Sequence, residues 1–175
     1  MTQSRVKIVA FSDWRIHDID LVLDYIGKME VKPELILYAG DDIRRFIEYS
    51  SLSLNQNQRL FLQRKLVRNR FEEIASLSKF GLCAVAGNDD LPSSGRLIHG
   101  KNVHNVHKKP FLFRNYAVIG IEGAEYDPDV ERSGIGATLY SELQIKKHLQ
   151  KMLNRIKKKK LIILSHSPPR NALDL

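Results

Sequence analysis

Three features mark this chain as an α/β protein. Short, near-continuous apolar runs alternate with helix-spaced apolar patterns from the N-terminus onward. No internal repeat, low-complexity tract or Pro/Gly-rich linker interrupts that alternation. A length of 175 residues, with 43% hydrophobic and 27% charged residues, fits one compact domain with a core of its own. No apolar run approaches the ~18 residues needed to cross a membrane. The opening MTQSRVKIVAF also lacks the long apolar segment and small-residue cleavage site of a signal peptide. A cytoplasmic location is therefore expected. The one cysteine, Cys83, lies inside the apolar run LCAVA, which argues against a disulfide framework and a thiolate metal site. Any metal must be held by oxygen and imidazole.

The elements follow in order. Val6–Phe11 is a strand-like apolar run, and Ile19–Met29 then spaces Leu21, Val22, Tyr25, Ile26 and Met29 as a helix. Leu35–Ala39 repeats the apolar run. After a loop, Asn55–Leu77 can place Leu60, Val67, Phe71 and Ile74 on one helix face, giving a second strand–helix unit. Leu82–Ala86 is the third apolar run. Arg96–Glu122 reads as meandering strands, with Tyr116–Ile121 the clearest, and Glu122–Ala137 reads as loop. Ser141–Lys157 is a helix with Leu149, Leu153 and Ile156 inward and His148 on its polar face. Leu161–Leu164 is the last strand, stopped by Ser167-Pro168-Pro169 because proline cannot continue a central ladder.

The balance of 28 basic against 20 acidic residues leaves a net charge of +8. That bias suits phosphorylated or nucleic-acid partners. Its densest part, Lys157–Lys160, has a simpler reading as a solvated helix end whose cations complement the helix dipole.

Chemistry collects directly after the apolar runs: Ser12-Asp13, Gly40-Asp41-Asp42, Gly87-Asn88-Asp89-Asp90 and Ser165-His166-Ser167-Pro168. If these strands are parallel, their carboxyl ends share one sheet edge, where α/β proteins build their sites. Each block alone has a plainer reading. Asp13 can cap the next helix, the Gly-Asp and Asn-Asp blocks can be turns, and His166 can be a half-buried, satisfied histidine. Four such accidents need not all fall at strand ends. Asp, Asn and His are donors that Mg²⁺, Mn²⁺, Fe or Zn²⁺ accept, and a shared carboxylate can bridge two ions. Two ions roughly 3.5–4 Å apart polarise a phosphoryl group and acidify water. Phosphoester hydrolysis is the expected chemistry.

FSDWR, YAGDD, AGNDD and ILSHSPP, in that order and spacing, resemble the calcineurin-like metallophosphoesterase superfamily. Its blocks run Asp-x-His, Gly-Asp, Gly-Asn-His-Asp/Glu, a strand-terminal His, and Gly-His-x-His. The resemblance covers nearly the whole chain. It implies a four-layer α/β/β/α sandwich of two mixed sheets flanked by helices. It also implies that Asp13 binds one divalent ion, that Asp41 bridges two, and that Asn88 and His166 bind the second.

The departures are specific. Arg15 replaces the first-block histidine and, as a permanent cation, cannot ligate a metal, though it can bind substrate phosphate. His17 can substitute only if the loop re-routes. Asp89 stands where the family has a histidine beside Asn88. It can act as general acid only if burial or a neighbour such as Asp90 raises its pKa, and is otherwise a turn residue or a further ligand. Gly-His-x-His has no counterpart before Leu175, so residues 1–175 are expected to be the N-terminal portion of a larger domain whose C-terminal part lies beyond. His99, His104 and His107 have no recognised zinc spacing and read as surface or strand-face histidines.

No phosphate loop, dinucleotide fingerprint or nucleophile elbow is present, and Ser133-Gly134-Ile135-Gly136 follows no apolar strand. The expected function is therefore a metal-dependent phosphoesterase acting on a phosphate mono- or diester, with Asp89 and Arg15 at the reacting group. The alternatives are a weakened or inactive protein of the same fold that binds a phosphate ligand or a protein, and a nucleic-acid-binding domain resting on charge alone.

Overall fold

The computed structural model describes residues 5–13, 19–41, 55–88, 90, 94–126 and 138–167, with backbone alone at 56, 57, 59–63 and 94. The elements are β1 (Ile8–Phe11), α1 (Ile19–Gly27), β2 (Leu35–Tyr38), α2 (Gln56–Ser76) and β3 (Leu82–Ala84). A 3₁₀ turn (Ser94–Arg96), β4 (Val103–Asn105), β5 (Phe111–Phe113), β6 (Tyr116–Ile121) and β7 (Ala124–Glu125) follow. β8 (Leu139–Tyr140), α3 (Glu142–Leu153) and β9 (Lys160–Ser165) complete the described chain. The protein is thus a mixed α/β structure with three described α-helices. None is long and apolar enough to cross a membrane.

β1, β2, β3 and β4 form one sheet in that order, every pair parallel. β2 shows why these strands are buried on both faces. Ile36 and Tyr38 join Ile26 of α1 and Val67, Phe71 and Ile74 of α2 in one core, while Leu35 and Leu37 face the other way. On that second face Leu35, Leu37, Cys83 and Val85 meet Phe113, Val118 and Leu164 of a second sheet. Each such fully buried aliphatic or aromatic side chain contributes about 1.5–3 kcal/mol. Burial also pushes the Cys83 thiol far up, so it stays protonated.

The second sheet has the order β5-β6-β9, with β5 antiparallel and β9 parallel to β6. Of the two expected mixed sheets, this one is mixed, whereas the four-stranded sheet is parallel throughout. The reason is β4. It does not meander with β5 but pairs Val103, His104 and Asn105 in parallel with Leu82, Cys83 and Ala84. The region expected to be loop contains β7, which pairs β8 in parallel, while residues 127–137 lie outside the described residues.

Both long helices begin on capping boxes. Asn55 with Gln58 opens α2, and Ser141 with Gln144 opens α3, each side chain satisfying the other residue's backbone N–H. In α3 two of the three expected inward residues, Leu149 and Ile156, are partly buried, as are Ile145 and His148, but Met152 is buried in place of the expected Leu153, which is exposed. His148 accordingly leaves the polar face and packs toward β6. Lys157–Lys160 are exposed, but they are not the expected helix end: α3 stops at Leu153 with Asn154 as its C-cap, and Lys160 already belongs to β9.

Candidate metal centre

β1, β2 and β3 run parallel, so their carboxyl ends open on one edge of the sheet, and β9 brings its own end to the same place. Ala39 accepts there from the His166 ring at Nδ1 (2.7 Å), which ties the two sheets together. Phe11 and Gly40 extend the β1–β2 ladder past both strands, through Ala39 N–H to Phe11 O and Asp13 N–H to Gly40 O, both 2.9 Å. Beyond it the chain turns sharply: Asp13 (φ 53°) and Asp41 (φ 70°) are both left-handed. Asp tolerates this region better than most residues, yet the conformation costs about 1 kcal/mol or more. The strain aims two carboxylates at a common point.

The structure brings Asp13, Asp41, Asn88 and His166 together. One ligand atom each from Asp13, Asp41 and His166 lies within 4.8 Å of the others. His166 Nε2 is 2.8 Å from Asn88 Oδ1 and 3.3 Å from Asp41 Oδ2. Asp41 and the His166 side chain are about nine-tenths buried, while Asp13 is exposed, so the cluster opens to solvent on the Asp13 side. Arg15 and Asp89, the two expected catalytic residues, and His17 lie outside the described residues.

The hydrogen bonds determine what the cluster can hold. A carbonyl only accepts, so the bond to Ala39 O places a proton on His166 Nδ1. A neutral ring then turns the lone pair of Nε2 toward Asn88 Oδ1 and the Asp41 carboxylate, which are acceptors too. His166 Nε2, Asn88 Oδ1 and the Asp41 and Asp13 carboxylates thus converge from four strand ends. A proton on Nε2 or a cation satisfies that arrangement. Burial works to lower the His166 pKa, but its hydrogen bond to Asp41 and the charges of Asp41 and Asp13 outweigh burial and raise it. The same acidic environment attracts a divalent cation. Oxygen and imidazole donors fit Mn²⁺, Fe, Zn²⁺ or Mg²⁺. Among the described residues this donor set accounts for one ion.

Two features missed at the sequence level hold the cluster in place. Asp90 is fully buried, and its Oδ2 accepts the backbone N–H of Gly87 (2.8 Å) and of Asp41 (3.1 Å), joining the loops after β3 and β2. Two adjacent carboxylates after Ala-Gly-Asn offered only a general signal, since nothing in the letters says which one turns inward. Gly40 and Gly87 let the same two loops touch. A Cβ on Gly87 would collide with Asp41 Oδ1, and one on Gly40 (φ 96°) with the backbone N of Gly87.

The remaining described histidines lie elsewhere. His104 stacks on Phe111 with ring centroids 3.8 Å apart. His107 stacks on His148 at 4.1 Å and 8°, its Nδ1 accepts the Glu122 N–H (3.3 Å), and its Nε2 lies 3.5 Å from Glu122 Oε1. His107 is thus a partly buried residue rather than a surface one, as is His148, whose Nε2 lies 3.0 Å from Gly120 O. Parallel stacked rings cannot aim two lone pairs at one point, which disfavours a metal between them. On α2, Arg68 and Arg70 pair with Glu72 and Glu73, and Arg70 also with Asp20. Comparison with protein-family models, with curated proteins and with solved structures finds no match.

Proposed function

We propose that this chain is a metal-dependent phosphoesterase, hydrolysing a phosphate mono- or diester, with the four-layer α/β/β/α architecture of the calcineurin-like metallophosphoesterases. The observation that carries the reading is the convergence of Asp13, Asp41, Asn88 and His166 at the carboxyl ends of β1, β2, β3 and β9. Helices α1 and α2 on one outer face, the two facing sheets, and α3 against β6 are consistent with that architecture.

A divalent cation held by these donors supplies Lewis acidity, polarising a phosphoryl oxygen and acidifying water. The chain's own residues prepare the place. Asp13 and Asp41 bring the negative charge that retains a cation, and Asn88 adds a neutral oxygen that fixes direction without adding charge. Ala39 sets the His166 tautomer, so that Nε2 is the ring nitrogen presented to Asn88 and Asp41. Exposure of Asp13 leaves a route for substrate. Arg15 enters the proposal as the cation that binds substrate phosphate, and Asp89 as the residue beside the leaving group.

The test is Mn²⁺ content after incubation and desalting, for the natural chain and Asp41→Ala, alongside turnover of p-nitrophenyl phosphate and bis-p-nitrophenyl phosphate. Bound Mn²⁺ that is lost in the variant, with hydrolysis falling at least about 100-fold, is the expected result. Hydrolysis unaffected by Asp41→Ala overturns the site. A second reading, a binding module without turnover, is favoured by the single-ion donor set. Mn²⁺ bound with no hydrolysis of either ester selects it.

A further inference from the structure

The loop carrying Asn88 is gripped from outside by two segments distant in sequence. Gly123 N–H donates to Ala86 O (2.9 Å), Thr138 N–H donates to Asn88 O (3.0 Å), and the Thr138 hydroxyl donates to Asp90 O (2.9 Å). Residues 86, 88 and 90 are alternate carbonyls, the spacing of one edge of an extended strand, although no strand is formed there. Thr138 is itself buried, only 4% exposed.

The grip is rigidly mounted. Ala124 N–H donates to Thr138 O (3.0 Å), and β7 pairs β8 directly beyond. A Cβ on Gly123 (φ 71°) would meet Thr138 Cγ2 at 2.8 Å, so the two segments touch backbone to side chain. Two residues after Thr138, the Tyr140 hydroxyl donates to Glu122 Oε1 (2.9 Å), and Glu122 is nine-tenths buried against His107. Tyr140 therefore anchors the strand that delivers Thr138.

We propose that Thr138 is a positioning residue of the candidate metal centre: by holding the backbone carbonyls of Asn88 and Asp90 it keeps Asn88 Oδ1 against His166 Nε2. Its consequence for metal binding rests on the reading of the site given above; its effect on Asn88 does not. Thr138 acts only through the loop. The hydroxyl is the operative group, because valine has the same shape and would leave the Asp90 carbonyl without that bond. Serine would restore it.

The experiment compares the full chain with Thr138→Val and Thr138→Ser. Three quantities are read: the ring ¹H–¹⁵N signals of His166 and the Asn88 amide signal in metal-free protein, the Mn²⁺ affinity, and the melting temperature. Thr138→Val is expected to displace both sets of signals and weaken Mn²⁺ binding by about 10-fold, as loss of a supporting contact does. Thr138→Ser returns both to near the natural values. Signals and Mn²⁺ affinity unchanged in Thr138→Val, whatever the melting temperature does, overturn the proposal and leave Thr138 as packing. Displaced signals in a chain that binds no Mn²⁺ even in its natural form uphold the positioning role and overturn the metal reading instead. If Thr138→Val does not fold, Tyr140→Phe loosens the anchor, and His166 and Asn88 signals that stay in place in that variant also overturn the proposal.

Discussion

The Asp90 carboxylate accepts the backbone N–H of Asp41 across 49 residues of sequence, at 3.1 Å, while the same oxygen takes the N–H of Gly87. One buried atom thereby fixes the position of the loop bearing the central carboxylate of the site. Asp90→Ala would strand two buried N–H groups, at a cost of about 2–4 kcal/mol. For a chain of this size that lowers the melting temperature by roughly 5–15 °C. Urea unfolding of Asp90→Ala against the natural chain measures it, and a loss under about 0.5 kcal/mol would sink the assignment.

Gly87 is predicted to be intolerant for a different reason. Its backbone is not left-handed, so alanine meets no φ/ψ barrier there, and the obstacle is Asp41, its carboxylate and its backbone N alike. Gly87→Ala must therefore displace Asp41, and with it the Oδ2 that faces His166. Mn²⁺ affinity should fall by about 10-fold or more, with the fold retained, as for disturbed supporting contacts elsewhere. Titration calorimetry reads this directly. Unchanged affinity would mean that Asp41 is not a ligand.

The strands were legible because their residues leave little choice. Leu35–Tyr38 and Leu82–Ala84 are apolar on both faces, as a parallel sheet packed on two sides requires, and Asp13, Asp41, Asn88 and His166 were legible as the polar residues that follow such runs. What escaped depended on partners. Val103–Asn105 resembles any short extended piece, and its parallel pairing with β3 is decided by the core beneath it. Asp90 and Thr138 act through backbone groups of distant loops, which no spacing in the sequence records. His107 and His148 look polar in sequence, yet each is partly covered by the other.

The register of α3 gives a clean comparison of neighbours. Met152 is 1% exposed and Leu153 is 41% exposed, the reverse of the inward Leu153 that apolar spacing suggested. Met152→Ala should cost about 2–4 kcal/mol by leaving a cavity, whereas Leu153→Ala should stay within about 1 kcal/mol. Equal losses in denaturant unfolding would show that the helix sits in the other register.

The acid limb of stability should trace to His107. Burial first, then the neighbouring charges of His148 and Lys108, push its pKa from 6.5 down to about 4. Unfolding frees the ring to take up a proton below about 6.5 that the folded ring refuses until about 4. A folded-state pKa held below the unfolded one contributes stability above pH 6.5 and loses it as pH falls toward 4. The slope is at most about 1.4 kcal/mol per pH unit, reduced by screening because the ring is not wholly buried. Glu122 has the opposite sign. Burial raises its pKa against the pull of Tyr140 and Lys108, so its contribution is greatest in acid and declines as pH rises through the raised value. His107→Phe keeps a ring against His148 and removes the titrating nitrogen, along with the acceptor of the Glu122 N–H. The variant should be about 1 kcal/mol less stable at pH 7 and lose stability less steeply between pH 6.5 and 4. Unfolding free energies at half-unit pH intervals decide it, because an acid limb as steep in His107→Phe as in the natural chain would place the controlling proton on another group.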